Sequence, residues 1–180
     1  MKTENRNKFA LSLLTTAILS APVAFAADPA HGEGIKNALA DSKVNLSFRA
    51  RYEGVDQDET DNTADALTIK SRLTIETGSY SNFSLGVEVD NVSVLIDDYN
   101  SKTNGNTNYP VVADPKGTDV NQGYVKYSND GFSAVVGRQR ILHNNQRFVG
   151  GVGWRQNEQT YDGVRLQYNV KALSVDYSYV

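Results

Sequence analysis

The chain has 180 residues, a formal net charge of −3, no Cys, 10 Tyr, 14 Gly and 4 Pro. Without Cys there are neither disulfides nor thiolate metal sites, so an exported form must fold on packing and hydrogen bonds alone. Beyond residue 26 no run approaches the ~20 continuous apolar residues of a spanning helix, and the Tyr-rich, Gly-rich, Pro-poor composition is that of a β protein.

Residues 1–26 read as a secretory signal peptide. Lys2, Arg6 and Lys8 form a basic start, Phe9 to Leu19 is apolar, and Ala24-Phe25-Ala26 is a small-residue cleavage site. This predicts Sec export with cleavage after Ala26. Residues 27–42 form a polar periplasmic leader with one helical turn around Ile35 to Ala40, in which His31 reads as solvated.

A period-two pattern then occupies residues 43–180. From Lys43 to Val55, Val44, Leu46, Phe48, Ala50 and Tyr52 alternate with Asn45, Ser47, Arg49, Arg51 and Glu53. Successive strand side chains point to opposite faces, so one face is apolar and the other charged. Asp65 to Thr77 repeats the pattern, with Leu67, Ile69, Leu73 and Ile75 against Lys70, Arg72 and Glu76, and Phe83 to Asp90 sets Leu85, Val87 and Val89 against Glu88 and Asp90. Gln122 to Ser128 is weaker. In Ser133 to Ile141, Ala134 and Val136 share their parity with Arg138 and Arg140, which suggests a bulge or an internal apolar patch. Val164 to Val170 and Leu173 to Tyr179 alternate cleanly.

The connections alternate in length. Gly54–Ala64, Asn91–Asp119 and Leu142–Thr160 are long, while Gly78–Asn82, Asn129–Gly131 and Lys171–Ala172 are short. An antiparallel meander with its turns in the periplasm and its loops outside produces that pattern. The expected fold is therefore all-β, an antiparallel transmembrane β-barrel meander of about seven strands. A closed bacterial barrel uses an even count of about eight or more, and an open edge leaves backbone groups unpaired in hydrocarbon. The strands thus read as the N-terminal portion of a longer barrel.

The stretch from Gly137 to Arg165 carries the most information. Its loop holds Asn145, Gln146, Arg147, Phe148, Trp154, Arg155 and Gln156, including the only Trp. Long ordered loops in compact domains are usually functional. The segments YPVVADPKGTDVNQ (Tyr109 to Gln122) and GRQRILHNNQRFVGGVGWRQNEQTYDGVRL (Gly137 to Leu166), with RARYEGVDQD (Arg49 to Asp58) and ADALTIKSRLTIETG (Ala64 to Gly78), resemble the N-terminal half of the alginate-export-like family of outer-membrane porins. The resemblance covers the chain from about Val44. It implies a monomeric barrel of many strands, longer than this chain, with an arginine-rich lumen; the best-known member passes an anionic polyuronate outward.

If the charged face lines a pore, Arg49, Arg51, Lys70 and Arg72 supply fixed positive charge on the first two strands, and Arg138, Arg147, Arg155 and Arg165 surround the central loop. Guanidinium forks suit carboxylates, and positive charge in a narrow channel raises the local anion concentration. Glu53, Glu76, Glu88 and Asp90 share that face, so a cross-strand Arg–Glu ladder is the competing reading. Asn145, Gln146, Phe148, Trp154 and Gln156 are expected to narrow the passage.

The expected partners are outer-membrane lipid and an anionic solute such as a uronate, with no nucleic acid. No cofactor and no metal are expected: Asp56, Asp58 and Asp61 lack the Gly and terminal Glu of an EF-hand loop. No catalytic residues are expected either, since Gly150 to Gly153 lacks the Lys-Ser/Thr of a phosphate loop, His143 sits among Asn, and no carboxylate pair has glycosidase spacing. The rival reading is a secreted or periplasmic β-sandwich that binds carbohydrate through Trp154 and neighbouring Tyr residues.

Overall fold

The computed structural model describes residues 29–58, 60–143 and 145–180; the expected signal peptide lies outside them. A helix, α1 (Pro29–Ala40), precedes seven strands: β1 (Lys43–Val55), β2 (Ala64–Glu76), β3 (Phe83–Asp98), β4 (Gly117–Asn129), β5 (Phe132–Gln139), β6 (Tyr161–Val170) and β7 (Leu173–Tyr179). They form one antiparallel sheet in the order β1-β2-β3-β4-β5-β6-β7. β1 and β7 are its edges, so the sheet is open, the incomplete barrel expected of seven strands. No described helix is long and apolar enough to cross a membrane.

Register explains the two faces. Val44, Ile75 and Val87 lie opposite one another across β1, β2 and β3, as do Leu46, Leu73 and Val89. The same parity carries Leu85, Val125, Val136 and Val164 across the next strands. These residues make an apolar outer face on which no described residue packs; Leu46 and Phe48 are 60% and 68% exposed, and Val175 48%. On the inner face Ser47, Arg72 and Asp90 are aligned, as are Asn45, Thr74 and Glu88. Lys70, Glu88 and Asp90 there are buried. The usual arrangement of apolar residues inside and charges outside is inverted.

Two strands differ from the sequence pattern for identifiable reasons. β3 runs on to Asp98 because its parity changes composition: Val92 and Val94 turn to the inner face, where Val92 is buried and Val94 packs against residues of the 99–116 loop. That loop buries Tyr99 and Val112 against Ala64 and Ala66, with Val55 and Val94 partly buried beside them. Asn side chains replace a strand partner in satisfying its backbone. Asn104 Nδ2 donates to Tyr99 O at 2.7 Å and Asn106 Nδ2 to Asp97 O at 2.8 Å. β4 begins earlier than Gln122 because a register shift at Glu88/Val89 hides the alternation. The bulge turns both Asn121 and Gln122 inward, where their amides donate to Glu88 at 2.7 and 3.3 Å. A bulge places two consecutive side chains where a regular strand offers one.

α1 has three turns where one was expected. Gly32 and Gly34 weaken the local helix signal, but the helix docks on the β2–β3 turn: Gly78 N donates to Ala38 O at 2.8 Å, and Gly34 lies so close to the Tyr80 ring that a Cβ would sit 2.4 Å from it. Gly137 in β5 has φ +120° and approaches Gly123 O so closely that a Cβ would be 2.3 Å away, which is why this position in the strand is glycine.

Candidate channel wall and the loop clamped to it

The 140–160 segment folds back over the inner face instead of standing away from it. Arg49, halfway along β1, is the main reason. Its Nε donates to Gln156 Oε1 at 2.9 Å, its Nη1 to Gly153 O at 2.9 Å, and its Nη2 to Arg155 O. Arg51 donates to Trp154 O. Guanidinium presents five donors in a fixed planar fork, so two strand arginines can satisfy four acceptors of a loop that has no ladder of its own.

Gln156 completes the clamp. Its Nε2 donates to Thr68 Oγ1 at 2.9 Å and its backbone N to Asp114 Oδ1 at 2.8 Å. The side chain is fully buried, at 0% exposure. Gln156 therefore does not narrow a passage, as the sequence suggested; it is the loop's anchor. Asn157 Nδ2 donates to Pro115 O at 3.0 Å, so the 99–116 loop and the 142–160 loop brace each other.

Around this anchor lie three cations and two carboxylates. Arg155 Nη1 is 3.0 Å from Glu53 and 3.6 Å from Asp114, and Arg51 is 2.6 Å from Glu53 and 3.7 Å from Asp114. The Trp154 ring has the Arg155 guanidinium 4.0 Å and the Arg51 guanidinium 5.1 Å from its centroid, a cation–π arrangement that suits two neighbouring cations. One positive charge is in excess here.

A second cluster is balanced. Glu158 accepts from Lys70 at 2.8 Å, Arg72 at 2.8 Å and Arg140 at 2.7 Å. Arg72 also forms a two-pronged pair with Asp90, both distances 2.7 Å, and Arg140 and Arg72 both reach Glu88. Three cations thus face three carboxylates, the cross-strand ladder. Burial opposes ionisation of Glu158, but hydrogen bonds from Lys70, Arg140 and Arg72 outweigh it and hold its carboxyl at about 2.

The remaining candidates separate. Arg165 pairs with Asp176 at 2.5 Å and Gln167 joins them at 3.0 Å. Arg138 is on the outer face, in register with Gly123 and Asp162 and paired with Asp162 at 2.9 Å. It does not line the inner wall: its parity follows Ala134 and Val136, so no bulge moves it inward. Arg140 lies one residue past the end of β5, is released from strand parity and turns inward, although in the sequence it shares the parity of Arg138. Arg147 makes no ion pair among the described residues, its guanidinium lying 5.7 Å from the Phe148 ring. Asn145, Gln146 and Phe148 are exposed beside it. With Trp154 and Tyr161, Gln146, Arg147 and Phe148 border an open cavity of about 600 Å³.

Two outcomes test the clamp. Arg49→Ala removes three donors from the loop, and hydrogen bonds to charged groups contribute about 1.5–3 kcal/mol each. Trypsin should then cleave after Arg155 at least about tenfold faster, since 1.4 kcal/mol corresponds to a factor of ten; an unchanged rate would mean that the loop is held elsewhere. Glu158 sets the pH dependence. A carboxyl held at about 2 instead of its ordinary 4.5 contributes stability that is complete above the ordinary value and is lost as pH falls through about 2. Trp154 emission should hold down to about pH 3 and change only on approach to about 2; a midpoint near the ordinary carboxylate value would contradict the hold of Lys70, Arg72 and Arg140 on Glu158.

No curated protein and no solved structure matches the chain. The family model described as alginate export matches residues 36–179, which takes in every strand, both long loops of the clamp and the second half of α1. The chain belongs to the alginate export family, an outer-membrane family of porin-like transport proteins.

Proposed function

We propose that this chain forms part of the wall of an outer-membrane diffusion channel for small or oligomeric anionic solutes, narrowed by the 142–160 loop. The observation that carries the reading is the inverted sheet. Apart from the paired Arg138 and Asp162, its outer face is mostly apolar along all seven strands and is left uncovered by the described residues, while its inner face buries charges and holds a polar loop. Such a sheet suits hydrocarbon on one side and water on the other. A β-sandwich requires apolar faces to meet each other, and here no described residue packs on the apolar face.

The preference for anions rests on two features. The cluster of Arg49, Arg51 and Arg155 carries one cation more than Glu53 and Asp114 neutralise, and Arg147 stands exposed at the cavity beside Phe148. The balanced Lys70, Arg72 and Arg140 cluster adds rigidity and no net field. Selectivity therefore belongs to the clamped loop and the arginines that hold it more than to the Glu158 cluster. Fixed charge at a narrow point biases which ions enter, and a uronate-like solute carries the carboxylates that guanidinium groups bind.

Planar-bilayer recordings on the full-length protein test this. Arg147→Glu together with Arg155→Glu should move the reversal potential in a salt gradient toward that of a cation-preferring pore. An unchanged reversal potential would remove the anion preference and leave the channel.

A further inference from the structure

α1 has an apolar stripe that the fold does not cover. Ala38 is buried where the helix meets Gly78, but Ile35 and Leu39 on the same stripe are 43% and 61% exposed. At 100° per residue, Glu33, Lys36 and Asn37 fall on the other side of the helix. Between the stripe and the start of β3 lies an open cleft of about 300 Å³, bordered by Ile35, Leu39, Thr77, Tyr80, Phe83 and Leu85 with no charged side chain. The Thr77 hydroxyl is already occupied, accepting from Leu85 N at 2.9 Å.

The position of this cleft identifies what fills it. Phe83 and Leu85 are also the first outward residues of β3, so the cleft opens directly onto the uncovered apolar face. Phe83 begins a row of outward rings at the short-turn end, 5.0 Å from Tyr127, which is 6.3 Å from Phe132. Aromatic rings gather at the level where hydrocarbon meets headgroups. A helix with one apolar side and one charged side at that level lies in the plane of the interface.

We infer that α1 lies in the periplasmic headgroup region of the bilayer and that the cleft between α1 and β3 seats an acyl chain of a phospholipid. This rests on the channel-wall reading above. The helix extends the lipid contact of β3 past the end of the strand and shields the β2–β3 turn from water.

The chain has no Cys, so single labels report without background from it. Ile35→Cys, Leu39→Cys and Leu85→Cys in the full-length protein are labelled with bimane and reconstituted in phosphatidylethanolamine and phosphatidylglycerol vesicles with brominated acyl chains. Both helix positions are exposed, so neither label displaces packing. The expected result is quenching by the brominated chains at Ile35 and Leu39 at least half as strong as at Leu85, with little quenching by aqueous iodide. Quenching at Leu85 with only iodide acting at both helix positions would overturn the lipid site and leave the barrel wall standing. Failure of the brominated chains to quench at Leu85 would overturn both.

Discussion

The inner face of this sheet depends on one interaction, the guanidinium of Arg49 held against the backbone of the 153–156 turn. A loop of that length has no ladder to satisfy its carbonyls, and an orphaned buried acceptor costs about 1–3 kcal/mol. Arg49 and Arg51 bring fixed donors from a rigid strand, and Gln156 passes the connection on to Thr68 and Asp114. Once the loop is seated, Glu158 lies over Lys70, Arg72 and Arg140, and the ladder on the wall becomes continuous with the loop. Loop placement and wall electrostatics are therefore one construction.

That arrangement explains why so many charges can be buried in so small a structure. A lone buried ion is severely disfavoured, and removing one member of a buried pair is strongly destabilising. Here almost every inner-face ion meets at least one opposite charge, and Glu158 meets three. The outer face needs little such compensation because its residues are mostly apolar, and the charges it does carry, Arg138 and Asp162, are paired. The apolar cluster of Ala64, Ala66, Tyr99 and Val112 is correspondingly small: it packs a loop onto the wall and is not the reason the strands associate. Backbone pairing between every pair of neighbouring strands, interrupted by bulges at Leu67/Thr68 and Glu88/Val89, holds the sheet.

Much of this was legible in the sequence because period-two alternation survives wherever one face of a strand is apolar and the other charged. β1 and β7 begin and end where the alternation does. Legibility failed where a third element intervened. Val92 and Val94 broke the pattern because the 99–116 loop makes the inner face locally apolar. The bulge at Asn121 and Gln122 reset the phase of β4. Arg138 and Arg140 shared a parity in the sequence but part company at the end of β5, which decides that Arg140 joins Glu88 and Glu158 while Arg138 stays outside. Gln156 could not be distinguished from its neighbours, since a loop has no period and nothing in the sequence shows which of several amides is buried. The pairing of Arg51 with Trp154 was hidden for the same reason.

The central claim is that neighbouring residues of one strand face different solvents, and cysteine accessibility on β4 tests it most directly. Val125, Lys126 and Tyr127 are consecutive in β4; the first and third belong to the outer face, the second to the inner. Each is replaced singly by Cys in the full-length protein in intact outer membranes. The membrane-impermeant charged thiol reagent should modify Lys126→Cys alone, and a lipid-soluble maleimide should reach Val125→Cys and Tyr127→Cys. Equal modification of all three by the charged reagent, or protection of all three, would contradict a wall with hydrocarbon on one side and water on the other.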